Sequence, residues 1–129
     1  MKRSKILVVE DNEQNLYLIT FLLKKQNYEV ITAHSGLQAI EQAKVERPDL
    51  ILMDIHLPEM DGYEATRRIR GIPEISHTPI VAITSYAMVD DRAKALAAGC
   101  SGYMEKPIQP ETFSSEIRKY LTQVATLTG

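Results

Sequence analysis

Three carboxylates, one hydroxyl and one ammonium group stand where short apolar runs of this sequence end. Glu10 and Asp11 follow the first run, Asp54 follows the third, and Thr84 and Lys106 follow the fourth and fifth. Three acids held in one crevice would repel one another and resist ionisation unless a cation held them together. Carboxylate oxygens suit Mg²⁺ better than a transition metal. With a hydroxyl and an ammonium group beside such an ion, this set of side chains is suited to binding a phosphoryl group.

The apolar runs themselves predict the strands that must position these residues. They are short and lack the polar alternation of a half-exposed strand, which is typical of strands that are buried on both faces. The predicted strands cover residues 5–9, 28–33, 50–53, 80–84 and 102–105. Each candidate functional residue therefore lies at the carboxyl end of a predicted strand.

Apolar residues at helical spacing predict a helix after each strand. Ser35 with Gln38, and Asp61 with Glu64, have the spacing of N-terminal caps, and Gly99 is suited to end the fourth helix. The apolar residues that mark these helices are Leu16, Ile19, Leu22 and Leu23 in the first, Leu37, Ile40 and Ala43 on one face of the second, and Phe113, Ile117, Tyr120, Leu121 and Val124 in a stripe of the fifth; the fourth helix contains Ala93, Leu96 and Ala97.

Five strands that alternate with five helices indicate an α/β fold with a parallel sheet, because right-handed crossovers place helices on both faces. The alternation does not fix the strand order. The order expected for five strands is 2-1-3-4-5, that of a three-layer flavodoxin-like (βα)5 domain. In that order the first and third strands are neighbours, and the switch point between them would bring Glu10, Asp11 and Asp54 together.

Composition limits the class of protein. The 129 residues, 44% of them hydrophobic, suffice for one domain, which we place at residues 1–124 with 125–129 as a frayed tail or the start of a linker. A net charge of −2 does not direct the chain toward nucleic acid or an anionic membrane. The single Cys100 fits a reducing compartment, and the first apolar run is too short for a signal peptide or a membrane span. We therefore expect a cytoplasmic protein.

Four segments together carry a specific resemblance. They are Val-Glu-Asp-Asn at the end of the first strand, Met-Asp-Ile-His-Leu-Pro-Glu-Met-Asp-Gly around Asp54, Ile-Val-Ala-Ile before Thr84, and Gly-Tyr-Met-Glu before Lys106-Pro107. Over essentially its whole length the chain resembles the receiver domain of bacterial response regulators, in the CheY-like superfamily. Its opening, with Asn15, is similar to that of single-domain DivK-type regulators and of receivers attached to hybrid histidine kinases.

The resemblance implies a chemistry for the acidic residues. Asp54 would be the nucleophile that takes a phosphoryl group from a histidine kinase or a histidine phosphotransfer protein. Asp11, Asp54 and the main-chain carbonyl of His56 would hold Mg²⁺, with Glu10 contributing directly or through water. Lys106 would pair with the phosphoryl oxygens. The protein would then be a phosphoacceptor that catalyses its own phosphotransfer and slow autodephosphorylation, rather than an enzyme acting on a separate substrate.

The resemblance also implies a switch. Thr84 would donate a hydrogen bond to the phosphoryl group, and Tyr103 would follow it inward. The altered face would be that of helix 4, strand 5 and helix 5, where Lys94, Ala95 and Tyr103 are candidate contacts for a downstream protein. The outer positions of the first helix are available for kinase docking. We expect a stand-alone regulator without a DNA-binding output, either monomeric or dimeric on phosphorylation.

Two other classes of function remain open at this point. One is a receiver-like docking module that works without phosphorylation, against which the intact Asp54 and Lys106 argue. The other is an enzyme: a phosphatase with an aspartate nucleophile usually needs a second acid where this chain has His56, and an FMN protein of the same fold would carry flavin.

Several further residues have simpler interpretations. His56 and Tyr86 depart from the commonest family pattern and are expected to flank the path of the hydrolytic water. The His56 ring is expected to be an exposed loop side chain, with metal ligation as the less favoured alternative. A row of arginines on the third helix is expected to be a solvated face, and Cys100 a small buried thiol. The arginines are Arg67, Arg68 and Arg70.

Overall fold

The structure, a computed structural model, describes residues 3–85 and 91–128, and side chains as far as residue 122. In chain order its elements are β1 (Lys5–Val9), α1 (Glu13–Lys25), β2 (Glu29–Ala33), α2 (Gly36–Glu46), β3 (Leu50–Asp54), α3 (Gly62–Arg70), a 3₁₀ turn (Pro73–Ile75), β4 (Ile80–Thr84), α4 (Asp91–Ala98), β5 (Gly102–Glu105) and α5 (Pro110–Thr128). The predicted alternation is confirmed. The 3₁₀ turn was not predicted, and β3 extends one residue further than expected, so that Asp54 is its last residue.

The five strands form one parallel sheet in the order β2-β1-β3-β4-β5, as predicted. Strand β1 pairs with β2 and with β3, and Leu7 lies opposite Ile31 on one side and Ile51 on the other. Because β1 and β3 are neighbours whose helices leave on opposite sides of the sheet, their carboxyl ends flank the crevice in which doubly wound folds bind ligands.

Alternate residues of the strands point into two separate cores, one on each face of the sheet. Leu7, Val9, Ile51 and Met53 pack with residues of α2, α3 and α4. On the other face, strand residues pack with α1 and α5. They include Ile6, Val8, Leu50 and Leu52. The fold is therefore the three-layer α/β sandwich that the sequence predicts, with its central strands fully buried.

The expected N-terminal caps are present. The Ser35 hydroxyl accepts a hydrogen bond from the Gln38 N–H at 3.1 Å, and the Asp61 carboxylate accepts one from the Glu64 N–H at 2.9 Å. The Gln38 side chain does not bond the N–H of the cap residue itself, but accepts from the His34 N–H at 2.6 Å. These bonds satisfy N–H groups that have no partner within the helix.

The predicted apolar face of α2 is confirmed for Ala43, which is buried, and for Ile40, which packs against the core, but it is wrong for Leu37. Leu37 and Leu96 are each 56% exposed, and Ala93 and Ala97 also face solvent. The buried residues of both helices are small ones, and those of α4 include one acid. They are Gly36, Ala39 and Ala43 in α2, and Ala95 and Ala98, together with Asp91, in α4.

Tight packing explains part of this difference. A Cβ atom at Gly36 would lie 3.0 Å from the Met60 carbonyl oxygen, so this face of α2 has no room for a leucine. Sequence reasoning gave weight to the largest apolar residues, whereas here close contact selects the smallest. The predicted stripe of α5 is confirmed for Phe113, Ile117 and Tyr120, while the side chain of Val124 lies outside the described residues.

Arg70 was predicted to lie on a solvated face of α3, and this prediction is wrong. Its guanidinium group donates to three main-chain carbonyls, those of Gly99 at 2.8 Å, Ser76 at 3.1 Å and Thr78 at 2.6 Å. The end of α3 is thereby tied to the loops before β4 and β5. Arg67 and Arg68 are exposed, as expected, and pair with Glu64.

The predicted C-terminal boundary of the domain falls within α5. The backbone of α5 is helical to Thr128, and the domain boundary at residue 124 stays a prediction. Among residues 3–85 and 91–128, we find no helix that is long and apolar enough to cross a membrane.

Candidate functional site

The strand register brings three acids together at the carboxyl edge of the sheet. Val9 pairs with Met53, so the residues that follow them, Glu10 and Asp54, emerge side by side. One carboxylate oxygen each of Glu10, Asp11 and Asp54 lies within 4.8 Å of the others. Glu10 and Asp54 are 1% and 3% exposed, whereas Asp11 faces solvent. Two acids at the bottom of a cluster and one at its rim could hold a hard cation that keeps part of its water shell.

Lys106 follows the edge strand β5, and its side chain extends to this cluster. Its Nζ lies 2.6 Å from Glu10 Oε1 and 3.5 Å from Asp54 Oδ2. The Lys106 main-chain N–H donates to the Thr84 carbonyl at 2.7 Å, which ties the end of β5 to the end of β4. The Lys106-Pro107 peptide bond is cis, one of the two geometries that the sequence leaves open. The ammonium group thus supplies a positive charge between two buried carboxylates.

Glu10 is the residue whose ionisation is most affected by this arrangement. Burial, and next the neighbouring Asp54 carboxylate, raise the pKa of Glu10 to about 7, although Lys106 acts in the opposite direction. A carboxyl group that resists ionisation beside other acids is what we expected of a cluster without a cation. A bound divalent ion would favour the ionised form, so the donor set fits Mg²⁺.

Thr84 completes the set at the end of β4. Ile83 pairs with Asp54 across the sheet, which places Thr84 one residue beyond the nucleophile candidate on the adjacent strand. Its side chain is fully buried. The Thr84 hydroxyl oxygen lies 3.1 Å from Nε2 of His56, the residue two positions after Asp54.

Sequence reasoning did not anticipate this contact of His56. The residue is exposed, as expected, but its ring is hydrogen-bonded to Thr84 across 28 positions of sequence. The His56 main-chain N–H donates to Asp54 Oδ1 at 3.0 Å, so the turn after β3 is attached to the carboxylate. Its carbonyl, the expected metal ligand, belongs to the same turn. Only the strand order, which the sequence leaves open, could have indicated that residues 56 and 84 meet.

Gly62 holds the next helix close to Asp54. Its N–H donates to the Ile55 carbonyl at 3.0 Å, and a Cβ atom at this position would collide with the Asp54 carbonyl oxygen. The start of α3 therefore packs directly against the end of β3. A glycine is required here by the close approach of two backbones.

An open cleft of about 590 Å³ lies beside the cluster, and residues of the β3–α3 loop and of α4 line it. Asp11 and His56 line the cleft on the side of the cluster, and Asp91 and Lys94 of α4 line it on the other. Its size and openness would allow a small phosphodonor to reach the rim of the acidic cluster. Tyr86, expected near this path, lies outside the described residues.

The expected output face contains one correction. Ala95 is fully buried and cannot contact a partner, because it is one of the small residues of α4 that pack on the sheet. Lys94 is exposed, and Tyr103 is half-buried and packs against the core that includes Ala95. Lys94 and Tyr103 therefore remain candidates for the output face.

Comparison with known proteins agrees with this geometry. Residues 6–118 match the family model of the response regulator receiver domain, and the chain belongs to that family of two-component signalling proteins. It is 41% identical over 116 residues to the polar-differentiation response regulator DivK of Brucella anthropi, a match that covers 90% of this chain and 94% of DivK.

Two solved structures illustrate the likeness. The receiver domain of the sensor histidine kinase PA1611 from Pseudomonas aeruginosa PAO1 is 36% identical, with a TM-score of 0.87, covering 94% of this chain and 99% of that one. That structure has a magnesium ion coordinated in the active site cleft. Chemotaxis protein CheY4 of Vibrio cholerae is 28% identical, with a TM-score of 0.88, covering 92% and 99%. The predicted family and fold are confirmed.

Proposed function

We propose that Asp54 is the phosphoacceptor of this receiver domain and that the surrounding residues catalyse its phosphorylation. The observation that carries the proposal is the position of the buried Asp54 carboxylate, at the switch point of the sheet with Lys106 Nζ at 3.5 Å. One Asp54 oxygen attacks the phosphorus of a phosphohistidine on the donor. The P–N bond breaks as the P–O bond to Asp54 forms, and the imidazole leaves and takes up a proton.

A magnesium site is part of the proposal. Asp11, Asp54 and the main-chain carbonyl of His56 would hold the ion, with Glu10 binding directly or through water. The mutual proximity of the three carboxylates and the raised pKa of Glu10 support this assignment. Bound Mg²⁺ would place positive charge beside the phosphoryl oxygens during transfer. The magnesium ion in the PA1611 receiver, in a chain that is 36% identical, supports it further.

Lys106 and Thr84 would bind the phosphoryl oxygens that the ion leaves free. Lys106 already lies within reach of Asp54, and its ammonium group would exchange Glu10 for a phosphoryl oxygen. Thr84 would donate its hydroxyl proton. Fixed donors aimed at developing negative charge accelerate a transfer of this kind, because they need no reorganisation during the reaction.

The added charge would then operate the switch. A phosphoryl group brings about −1.5 to −2 charges and three acceptor oxygens. Thr84 would move toward it, and Tyr103, half-buried on β5, would turn inward behind it. Converting an excess of the inactive state of about 99:1 into an equal excess of the active state requires about 5.5 kcal/mol. A downstream partner bound at Lys94 and Tyr103 would contribute to this free energy.

The donor would be a histidine kinase or a histidine phosphotransfer protein that docks on the outer face of α1. We define this α1 patch as Tyr17, Leu18 and Phe21, which are 73%, 37% and 53% exposed. The Tyr17 and Phe21 rings stack with centroids 6.4 Å apart. Exposed aromatic rings are common anchors at protein interfaces. Since α1 begins two residues after Asp11, a partner on this patch would have its histidine near the acidic cluster.

Intact-protein mass spectrometry after incubation with acetyl phosphate tests the phosphoacceptor. We expect one phosphoryl adduct on the wild type with Mg²⁺, none without the metal and none on Asp54→Asn. Asp49→Asn is the matched control, because Asp49 is an exposed carboxylate beside the opposite end of β3. An adduct retained on Asp54→Asn would disprove the assignment. No adduct on folded wild-type protein would favour a docking module that works without phosphorylation.

A further inference from the structure

The hydroxyl of Thr84 is already engaged before any phosphoryl group is present. Its oxygen lies 3.1 Å from the Nε2 atom of His56. A hydroxyl has a single proton to donate, whereas an imidazole nitrogen with a free lone pair is a stronger acceptor than a hydroxyl oxygen. In the His56 tautomer that carries its proton on Nδ1, the Thr84 hydroxyl donates this hydrogen bond and Nε2 accepts it.

The backbone of Thr84 is fixed, so that only its side chain can respond. The Thr84 carbonyl accepts from the Lys106 N–H at 2.7 Å, and the preceding carbonyl, of Ile83, accepts from the Ile55 N–H at 3.0 Å. Both bonds belong to the edge of the sheet that holds Asp54. A change of partner for the hydroxyl is then a rotation about χ1, between wells that a β-branched side chain separates clearly.

We propose that His56 is a positioning residue that holds the Thr84 hydroxyl in the unphosphorylated protein and releases it when Asp54 is phosphorylated. The proposal rests on the proposed function of Asp54 and deepens it. The His56 ring and a phosphoryl oxygen compete for the same proton, so the hydrogen bond to His56 slows phosphorylation. It also keeps Thr84 from adopting its active position without a phosphoryl group.

The position of His56 suits a weak, reversible restraint. His56 is exposed and lines the open cleft, so its ring can turn away without leaving a cavity in the core. Its main chain stays attached to Asp54 through the 3.0 Å bond from the His56 N–H. The ring can therefore exchange its partner while the turn that carries it keeps its place beside the nucleophile.

Rates of adduct formation from acetyl phosphate at saturating Mg²⁺ and one fixed pH test the proposal. His56→Phe keeps a planar ring and removes both nitrogen atoms. We expect it to be phosphorylated about two- to tenfold faster than the wild type, which is the range for losing one neutral hydrogen bond. His56→Gln carries an amide oxygen at about the reach of Nε2 and should keep the slower rate.

A double-mutant cycle isolates the role of Thr84. In a Thr84→Val background, which lacks the hydroxyl, His56→Phe should no longer change the rate. If Thr84→Val does not fold, Thr84→Ala serves in its place. An equal effect of His56→Phe in both backgrounds, or no effect in the wild type, would overturn the inference. If the wild type forms no adduct at all, the proposed phosphoacceptor function fails. This outcome differs from failure of the His56 inference, in which the wild type forms the adduct but His56→Phe has no Thr84-dependent effect.

Discussion

At the scale of single residues, the site depends on how its buried carboxylates are kept in place. Glu10 is almost fully buried next to Asp54, and its closest polar partner is Lys106 Nζ, at 2.6 Å. The ion pair offsets only part of the cost of burial, because the pKa of Glu10 remains raised to about 7. Glu10 should therefore link the stability of the domain to pH and to Mg²⁺.

The first prediction concerns the pH dependence of stability in the presence of a chelator. The pKa of Glu10 rises from 4.5 to about 7 on folding, so the folded protein binds the proton more tightly. The contribution of Glu10 to the free energy of unfolding is fully present below pH 4.5 and declines as the pH rises to about 7. Urea unfolding at about pH 5 and about pH 8 measures the decline.

Glu10→Gln provides the comparison, because its side chain does not ionise. The stability of this variant relative to the wild type should increase from the lower pH to the higher. Added Mg²⁺ should stabilise the wild type more at the higher pH, where binding no longer has to displace a proton. A constant difference between the two proteins at both pH values would contradict the assignment of this linkage to Glu10.

At the scale of elements, the site is held by close contacts between the ends of neighbouring helices and strands. One of them is the contact of Gly62, at the start of α3, with the Asp54 carbonyl, where a Cβ atom would collide. The N-cap bond of Asp61 fixes the same end of the helix. The direction of α3 is thus determined by backbone contact with the strand that carries Asp54.

The second prediction compares the first residue of α3, Gly62, with the glycine that follows the helix, Gly71. Gly62→Ala should destabilise the domain by about 1–3 kcal/mol, since the new methyl group displaces the helix from the strand. It should also slow adduct formation at Asp54. Gly71→Ala is the matched control: its Cβ atom would meet nothing closer than 3.5 Å, and we expect a change within about 0.5 kcal/mol. Equal unfolding free energies of the two variants would contradict the packing argument.

The third prediction concerns Arg70, which joins three elements. Arg70→Ala should cost about 2–4 kcal/mol in urea unfolding, because three partly buried carbonyls lose a charged donor. Arg70→Lys should restore little of the lost stability, since one ammonium group cannot replace the several fixed donors of a planar guanidinium group. Arg67→Ala, on the exposed side of the same helix, should have little effect. A similar cost at both positions would contradict the structural role of Arg70.

At the scale of the whole molecule, the proposed donor surface and the proposed output surface lie on different helices. The α1 patch lies beside β1, whereas Tyr103 and Lys94 lie near the opposite edge of the sheet, on β5 and α4. The acidic cluster lies between them. This separation would allow donor docking and output to be altered independently.

The fourth prediction tests the α1 patch. The double variant Tyr17→Ser, Phe21→Ser should accept phosphate from a phosphorylated histidine phosphotransfer protein at least about tenfold more slowly, because two interface anchors are lost. Its rate with acetyl phosphate should be unchanged, since Asp54 is intact. Val45→Ser, at a 74% exposed position on α2, is the control and should match the wild type with both donors. Equal slowing with both donors would point to damage at the site instead.

Much of the fold could be predicted because its local signals agree. All five strands and all five helices were expected at nearly their observed positions, and the caps at Ser35 and Asp61 are present. The exposure of Leu37 and of Leu96 was not anticipated. Hydrophobic size and helical period do not decide which face of a short alanine-rich helix is buried when close packing favours its smallest residues.

By itself, the sequence determined which residues could form the site, because acids, Thr84 and Lys106 each end a strand signal, and parallel strands bring such ends to one edge. Only the tertiary structure decided the distances among them, the raised pKa of Glu10, the bond between His56 and Thr84, and the role of Arg70. The physical reason is that these properties arise between residues far apart in the chain. Strand order and packing between distant residues create them, and local patterns do not fix the distances that result.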